Sequence, residues 1–175
     1  RDGLVTGVQT CALPISLEYN IGDRVVYPMH GAGIIEAIEE REISGRRQAY
    51  YVIQLPLGEM KVMVPCQNVK DLGLRMVIED SEVDRVLAVL QGKGGDMPAN
   101  WSHRYRANLD KIRTGSIYEV AEVVRNLSDR EQEKGLSSGE RRMLENARQI
   151  LYSEIALARD LAHEQVEEMV ARCLS

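Results

Sequence analysis

The sequence predicts an α+β protein in which a small antiparallel β-barrel, residues 17–75, precedes a compact α-helical bundle, residues 76–175. Three observations carry that expectation. From Leu17 onward, runs rich in Val, Ile and Tyr are short and separated by glycine-bearing turns, the spacing of paired strands. After Gly73 the apolar period changes from two to about 3.6 residues, the repeat of a helix. The chain has 175 residues, 44% apolar and 28% charged, enough to bury one sizeable core or two small ones.

Residues 1–16 stand outside this scheme. RDGLVTGVQTCALPIS has no charged stretch ahead of an apolar core and no helical or strand period, so it does not read as a signal peptide. Val5 to Ile15 resembles the translation of a sequencing-adaptor oligonucleotide, and the segment is read as a non-native, disordered scar without function; a natural disordered N-terminus is the alternative. A chain beginning at Leu17 should therefore fold and melt like the full one. A loss of several degrees in melting temperature on that truncation would contradict the reading.

The strands are expected at Arg24 to His30, Gly33 to Arg41, Arg47 to Leu55 and Met60 to Pro65, with turns at Gly31 to Gly33, Ser44 to Gly45 and Gly58. In the last strand Met60, Val62 and Val64 alternate with Lys61 and Met63, which puts one set on the core and leaves the other available. A unit of this size is marginal alone, so it should lean on a neighbour or a partner.

Helices follow. Ser81 and Asp84 are arranged as a cap before Val83, Val86, Leu87 and Leu90. Gly92 to Ala99 breaks the pattern and reads as an exposed loop ending at Trp101. Three more helices are expected over Ser102 to Thr114, Ser116 to Lys134 and Ser138 to about Leu161, with a short one from His163. Ser116 with Glu119 and Ser137 with Glu140 form capping-box pairs, and Gly115 and Gly135 fall where helix ends favour glycine. One apolar stripe joins Ile117, Val120, Ala121, Val124 and Leu127; another joins Met143, Ala147, Ile150, Ala158 and Leu161, widened by Leu144, Leu151 and Ile155.

Composition excludes several functions. No apolar run approaches the roughly 18 residues of a membrane span. A net charge of −5 argues against a nucleic-acid coat, so any such contact must come from a local basic patch. Cys11, Cys66 and Cys173 are far apart and odd in number, which points to a reduced intracellular protein without a disulfide framework or zinc site. The acceptor-type triplets at Asn100 and Asn126 are then coincidental. His30, His103 and His163 suggest no metal cluster. The phosphate-loop, dinucleotide, zinc-protease and nucleophile-elbow patterns are all absent. Gly92 to Gly95 with Lys93 lacks the strand and hydroxyl of a phosphate loop, and Cys66 is better read as a small residue at a strand end than as a nucleophile with His30. No enzyme is expected.

The helix after Trp101 differs from the rest. In WSHRYRANLDKIRTG, Arg104, Arg106, Lys111 and Arg113 face a single Asp110, a local charge of +3 on an acidic protein. On a helical wheel Tyr105, Leu109 and Ile112 point inward, flanked by Arg104 and Lys111 on one side and His103, Arg106 and Arg113 on the other. Two readings stay open. The rim is either a solvated face with a Trp closing the core, or an aromatic wedge beside phosphate-binding side chains.

IGDRVVYPMHGAGIIEAIEE, the ISG turn, MKVMVP and GLR closely resemble the N-terminal signature of the CarD/CdnL family of bacterial transcription regulators. ANWSHRYRANLDKIRTG, VAEVVRNLSDRE and KGLSSGERRMLENARQILYSEIALA resemble that family's C-terminal helical domain, so the likeness runs from Leu17 to Leu174. The N-terminal half also resembles the polymerase-interacting module of the transcription-repair coupling translocase, whose helicase motifs this chain lacks. The resemblance implies a cytoplasmic, cofactor-free, monomeric adaptor rather than an enzyme. It implies a Tudor-like barrel docking on the RNA polymerase β subunit and a helical domain presenting a Trp to the upstream edge of the melted promoter. By position Trp101 is the wedge, with His103, Arg106 and Arg141 at DNA-contacting positions; Arg104 joins them from the helical wheel alone. On the barrel Arg41 matches a polymerase-contacting arginine and Met63 replaces a second one, with Lys61 on the same strand face as a neighbouring charge. The main rival is a protein-protein regulatory module with no DNA role; the other is an enzyme using Cys66.

Overall fold

β-Branched and aromatic residues at alternating positions drive the first half of the chain into strands. The structure, a computed structural model, describes residues 17–55 and 59–175, so the readings of residues 1–16 and of a turn at Gly58 lie outside the described residues. Strands β1 (Arg24–Tyr27), β2 (Gly31–Ile43), β3 (Arg46–Leu55), β4 (Met60–Pro65) and β5 (Arg75–Met76) make one antiparallel sheet in the order β4-β3-β2-β1-β5. Ser44 and Gly45 join β2 to β3 with φ of 54° and 79°. Both central residues in the left-handed region are the mark of a tight hairpin whose twist matches its strands. The inner face gathers Val25, Ile35, Ile38, Tyr51, Ile53 and Val64 over Val69 and Leu74.

The turn expected at Gly31 to Gly33 lies slightly earlier, and Gly33 does a different job from the one expected. The turn is Pro28 to His30, with Met29 taking the positive φ of 74°, and both glycines lie inside β2. A Cβ at Gly33 would stand 2.5 Å from the Gln54 carbonyl oxygen, and one at Gly31 would stand 2.8 Å from Ser153 Oγ. Gly33 permits close approach of β2 to β3 rather than a reversal, whereas Gly31, with a φ of 103°, closes the hairpin opposite Tyr27 and also lets the sheet approach a helix.

The second half is five helices: α1 (Asp80–Gln91), α2 (Trp101–Arg113), α3 (Ile117–Glu133), α4 (Ser138–Arg159) and α5 (His163–Leu174). Their shared core contains Val83, Val86, Leu90, Ile112, Leu127, Leu144, Leu151 and Ile155, so the predicted stripes of α3 and α4 face inward. Ala158 and Leu161 sit at its edge, half-buried. Ser137 and Glu140 form the expected capping box. Two other cap readings need correction. Ser116 stands at the N-cap of α3, but its side chain makes no cap hydrogen bond. Helix α1 starts earlier than the Ser81 and Asp84 pair suggests, with Glu79 and Glu82 as its box. Asp84 is engaged elsewhere: the Arg159 guanidinium donates to Asp80 at 2.7 Å and to Asp84 at 3.3 Å, tying the first turn of α1 to the end of α4.

The sheet is fastened to α4 by groups from three strands. Ala32 N–H of β2 donates to Ser153 Oγ at 2.9 Å. Arg24 of β1 donates to the Leu157 carbonyl. Arg75 of β5 grips the Glu154 carboxylate with two parallel bonds of 2.6 and 2.7 Å, and also donates to the Gly115 carbonyl. Glu154 is 1% exposed, and its remaining bond is accepted from Ile78 N–H at 3.0 Å. A bidentate arginine on a covered, otherwise satisfied carboxylate fixes orientation as well as contact. His163 pairs with Glu167 one turn on, at 3.3 Å, an i, i+4 contact that the sequence reading of the histidines overlooks. Among the described residues no helix is long and apolar enough to cross a membrane.

Candidate nucleic-acid interface

Helix α2 begins at Trp101 because Asn100 caps it, the Asn100 side chain accepting from His103 N–H at 3.1 Å. The loop 92–99 before it is exposed and held to α3 where Gly95 N–H donates to Asn126 Oδ1 at 3.1 Å. Asn126 is thereby buried, which removes it as a surface acceptor. Trp101 remains 46% exposed. Its ring stacks on Tyr105 with centroids 5.3 Å apart and planes at 25°. Its indole Nε1–H donates to Ser137 Oγ, the N-cap of α4, at 2.9 Å. The starts of α2 and α4 therefore meet at this side chain.

Of the residues expected to contact DNA beside it, all but Arg104 are exposed. His103 and Arg106 on α2 and Arg141 on α4 are exposed, and Arg141 falls one turn after Ser137, its N–H donating to the Ser137 carbonyl. Neither Arg106 nor Arg141 has a carboxylate partner among the described residues, and the same is true of Arg142, a position the sequence reading did not single out although the Arg141 and Arg142 doublet was visible. Lys111 and Arg113 lie further from the Trp and are shared with acids, Glu122 at 3.6 Å and Asp110 at 4.0 Å.

Arg104 is the exception, and its assignment to the DNA-contacting rim is corrected. It is 3% exposed and lies on the buried stripe of α2 with Asn108 and Ile112. Its Nε donates to Glu140 Oε2 at 2.7 Å, Nη2 to Glu140 Oε1 at 3.2 Å, and Nη1 to the carbonyl of Ala99 at 2.9 Å. A guanidinium so engaged and so covered presents no open face to a phosphate. Burial pushes the Glu140 carboxyl up, but the hydrogen bonds from Arg104 and from Ser137 outweigh it, and the group sits below the usual carboxylate range. Arg104 is correspondingly raised by its bond to Glu140.

On the sheet, the register Ala37↔Val52↔Met63 and Arg41↔Gln48 puts Arg41, Lys61 and Met63 on one face, opposite the inner core. Arg41 is exposed and only loosely paired, 3.6 Å from Glu39. Lys61 is bonded to Glu36 at 2.7 Å across the sheet, and that bond holds its ammonium above the ordinary value. Glu36 occupies the bulge between Ile35 and Ala37, which is how it reaches β4. Met63 is half-buried beside Val52.

Residues 19–78 match the family model of the CarD-like/TRCF RID domain, and residues 85–171 match that of the CarD C-terminal domain. A Bacillus subtilis (strain 168) relative named "Putative transcription factor YdeB" is 41% identical over 149 residues, which cover 85% of this chain and 97% of that protein. The sheet is thus a Tudor-like domain of the RID type, the bundle is the family's C-terminal domain, and the chain belongs to the CarD/CdnL family of transcription regulators.

Proposed function

We propose that this regulator docks on the β subunit of RNA polymerase through the outer face of its sheet and sets Trp101 at the upstream edge of the melted promoter, where the indole hinders reannealing. The observation that carries the reading is the half-exposed Trp101 ring, its polar edge bonded internally to Ser137, on a helix pair whose Arg106, Arg141 and Arg142 have no carboxylate partner among the described residues. An apolar wedge next to phosphate-binding side chains is the way minor-groove proteins hold an unstacked step open. Among the described residues no helix or ribbon is lined with base-reading side chains, which is in keeping with promoter choice made by another component.

The charge supports an adaptor rather than a free-standing DNA binder. Arg106, Arg141 and Arg142 neutralise about three phosphates, a slope of about −2.7 in log affinity against log salt, less than the about −3.6 that a fourth contact from Arg104 would give. That patch alone binds weakly at physiological salt. Docking on the polymerase makes the contact intramolecular at about millimolar effective concentration. The test is the lifetime of preformed open complexes on one promoter with and without the protein; an unchanged lifetime sinks the proposal. If neutralising the three arginines left the lifetime effect intact, the protein-protein module without a DNA role would be favoured. A thiol enzyme gains nothing from the fold, because Cys66 is buried.

Docking has its own test. Arg41→Glu should weaken binding to the β subunit by about 1–3 kcal/mol, as for a charge-assisted contact at an interface. The fold should be unaffected, since Arg41 is exposed and its nearest acid is 3.6 Å away. Unchanged co-purification with the β subunit would remove Arg41 from the interface.

A further inference from the structure

The geometry points to Ser137 as a positioning residue for Trp101: its hydroxyl, locked by the capping box of α4, presets the indole before any DNA arrives. The inference deepens the wedge reading and rests on it. A serine hydroxyl has one hydrogen to donate and two lone pairs. Here the oxygen accepts from Trp101 Nε1 at 2.9 Å and from Glu140 N–H at 3.2 Å, and donates to Glu140 Oε1 at 3.2 Å. All three capacities are used, so the hydroxyl cannot turn without breaking a bond.

Glu140 is itself held. Its carboxylate takes two bonds from Arg104, which also donates to the Ala99 carbonyl two residues before Trp101. The chain of contacts thus leaves the loop, crosses to α4 and returns to the indole. Tyr105 stacks on one side of the ring, and Gly139 lies close to both rings, since a Cβ added there would stand 3.7 Å from Tyr105 Cε2 and 3.8 Å from Trp101 Cζ2. The indole is held at its polar edge and on the face that Tyr105 covers, and the remainder of the side chain, which is 46% exposed, stays open.

Two consequences favour insertion. A side chain already held in one orientation loses little freedom on binding, so more of the contact energy is left for the DNA. The Nε1–H enters the groove with its hydrogen bond already made, and no buried donor is orphaned.

Trp101 is the one Trp in the sequence, so the intrinsic fluorescence of the full chain reports on it alone. Ser137→Gly is the informative variant, because glycine remains an acceptable N-cap but offers the indole no acceptor. Ser137→Thr keeps a hydroxyl and serves as the rescue. In the free protein, acrylamide quenching of Trp101 should rise and its anisotropy fall in Ser137→Gly and stay near wild type in Ser137→Thr. On open complexes, Ser137→Gly should lose about fivefold of the lifetime effect, the population equivalent of one net hydrogen bond, with Thr restoring it. Co-purification with the β subunit should not change. Unaltered quenching in Ser137→Gly would overturn the positioning role. So would altered quenching with a full lifetime effect, provided that Trp101→Ala abolishes that effect. Should Trp101→Ala itself leave the lifetime untouched, the wedge reading fails, and the role inferred for Ser137 falls with it even if the quenching shows that the hydroxyl orients the ring.

Discussion

Arg104→Ala should destabilise the protein by about 3–5 kcal/mol, the cost of leaving a covered charge without its partner. Residues Arg104 and Glu140 are 3% and 1% exposed, and the two side chains share bonds of 2.7 and 3.2 Å. The contrast is with Arg113 and Asp110, 4.0 Å apart with side chains 63% and 64% exposed, where about 0–1 kcal/mol is at stake. The loss should depend on pH with a definite sign. Glu140 lies below its ordinary value in the folded protein, so its contribution is fully present above the unfolded carboxylate value and is lost as pH falls through the lowered one. In Arg104→Ala burial acts on Glu140 without that guanidinium, which pushes the carboxyl up. The gap between wild type and variant should therefore be widest at neutral pH and narrow below about pH 4. Urea unfolding at neutral and acid pH measures both. A gap under 1 kcal/mol at neutral pH would mean that the pair is solvated in solution.

Trp101→Ala should do the reverse: little to stability and much to function. The ring contributes one hydrogen bond and one aromatic contact, so about 1–2 kcal/mol is at risk, against about 3–5 for a Trp filling a core. Holding a DNA step unstacked is worth a few kcal/mol, and each 1.4 kcal/mol is about tenfold. The variant should lose about tenfold or more of its effect on open-complex lifetime while retaining the polymerase. Thermal melting, affinity for the β subunit and dissociation of preformed open complexes, measured on the same preparation, decide the matter. A variant that binds the polymerase and prolongs the complex as wild type does would end the wedge hypothesis.

What the sequence made legible and what it hid divide along physical lines. Helices were readable because their signals are local: the Ser137 and Glu140 box and the stripe from Ile117 to Leu127 need only neighbours within a turn or two. Errors arose where a partner distant in sequence decides. Asp84 is taken by Arg159, 75 residues away, rather than by a cap. Gly33 answers to Gln54 rather than to a turn, and Gly31 answers to Ser153 as well as to one. Strand β5, two residues long, is too short to show a period. Arg104 is the instructive case, since a wheel assigns an arginine to solvent by type. The buried row Arg104, Asn108, Ile112 sits at i, i+4, i+8, and only Glu140, 36 residues on, explains why a cation heads it. The same distance hid Ser137, recognised as a cap but not as the acceptor for Trp101.

The fastening of the sheet to α4 through Ala32, Arg24 and Arg75 turns the molecule into a gauge. A flexible tether between its halves would let the indole sample many landing points, each weakly. Bonds from three strands to one helix instead give a single span from the outer sheet face to Trp101. On the reading proposed above, a promoter whose melted edge is shifted by one base step, about 3.4 Å along the axis, would present the wrong rung to the ring. The protein would then be sensitive to where the polymerase begins to melt DNA while remaining indifferent to the letters written there.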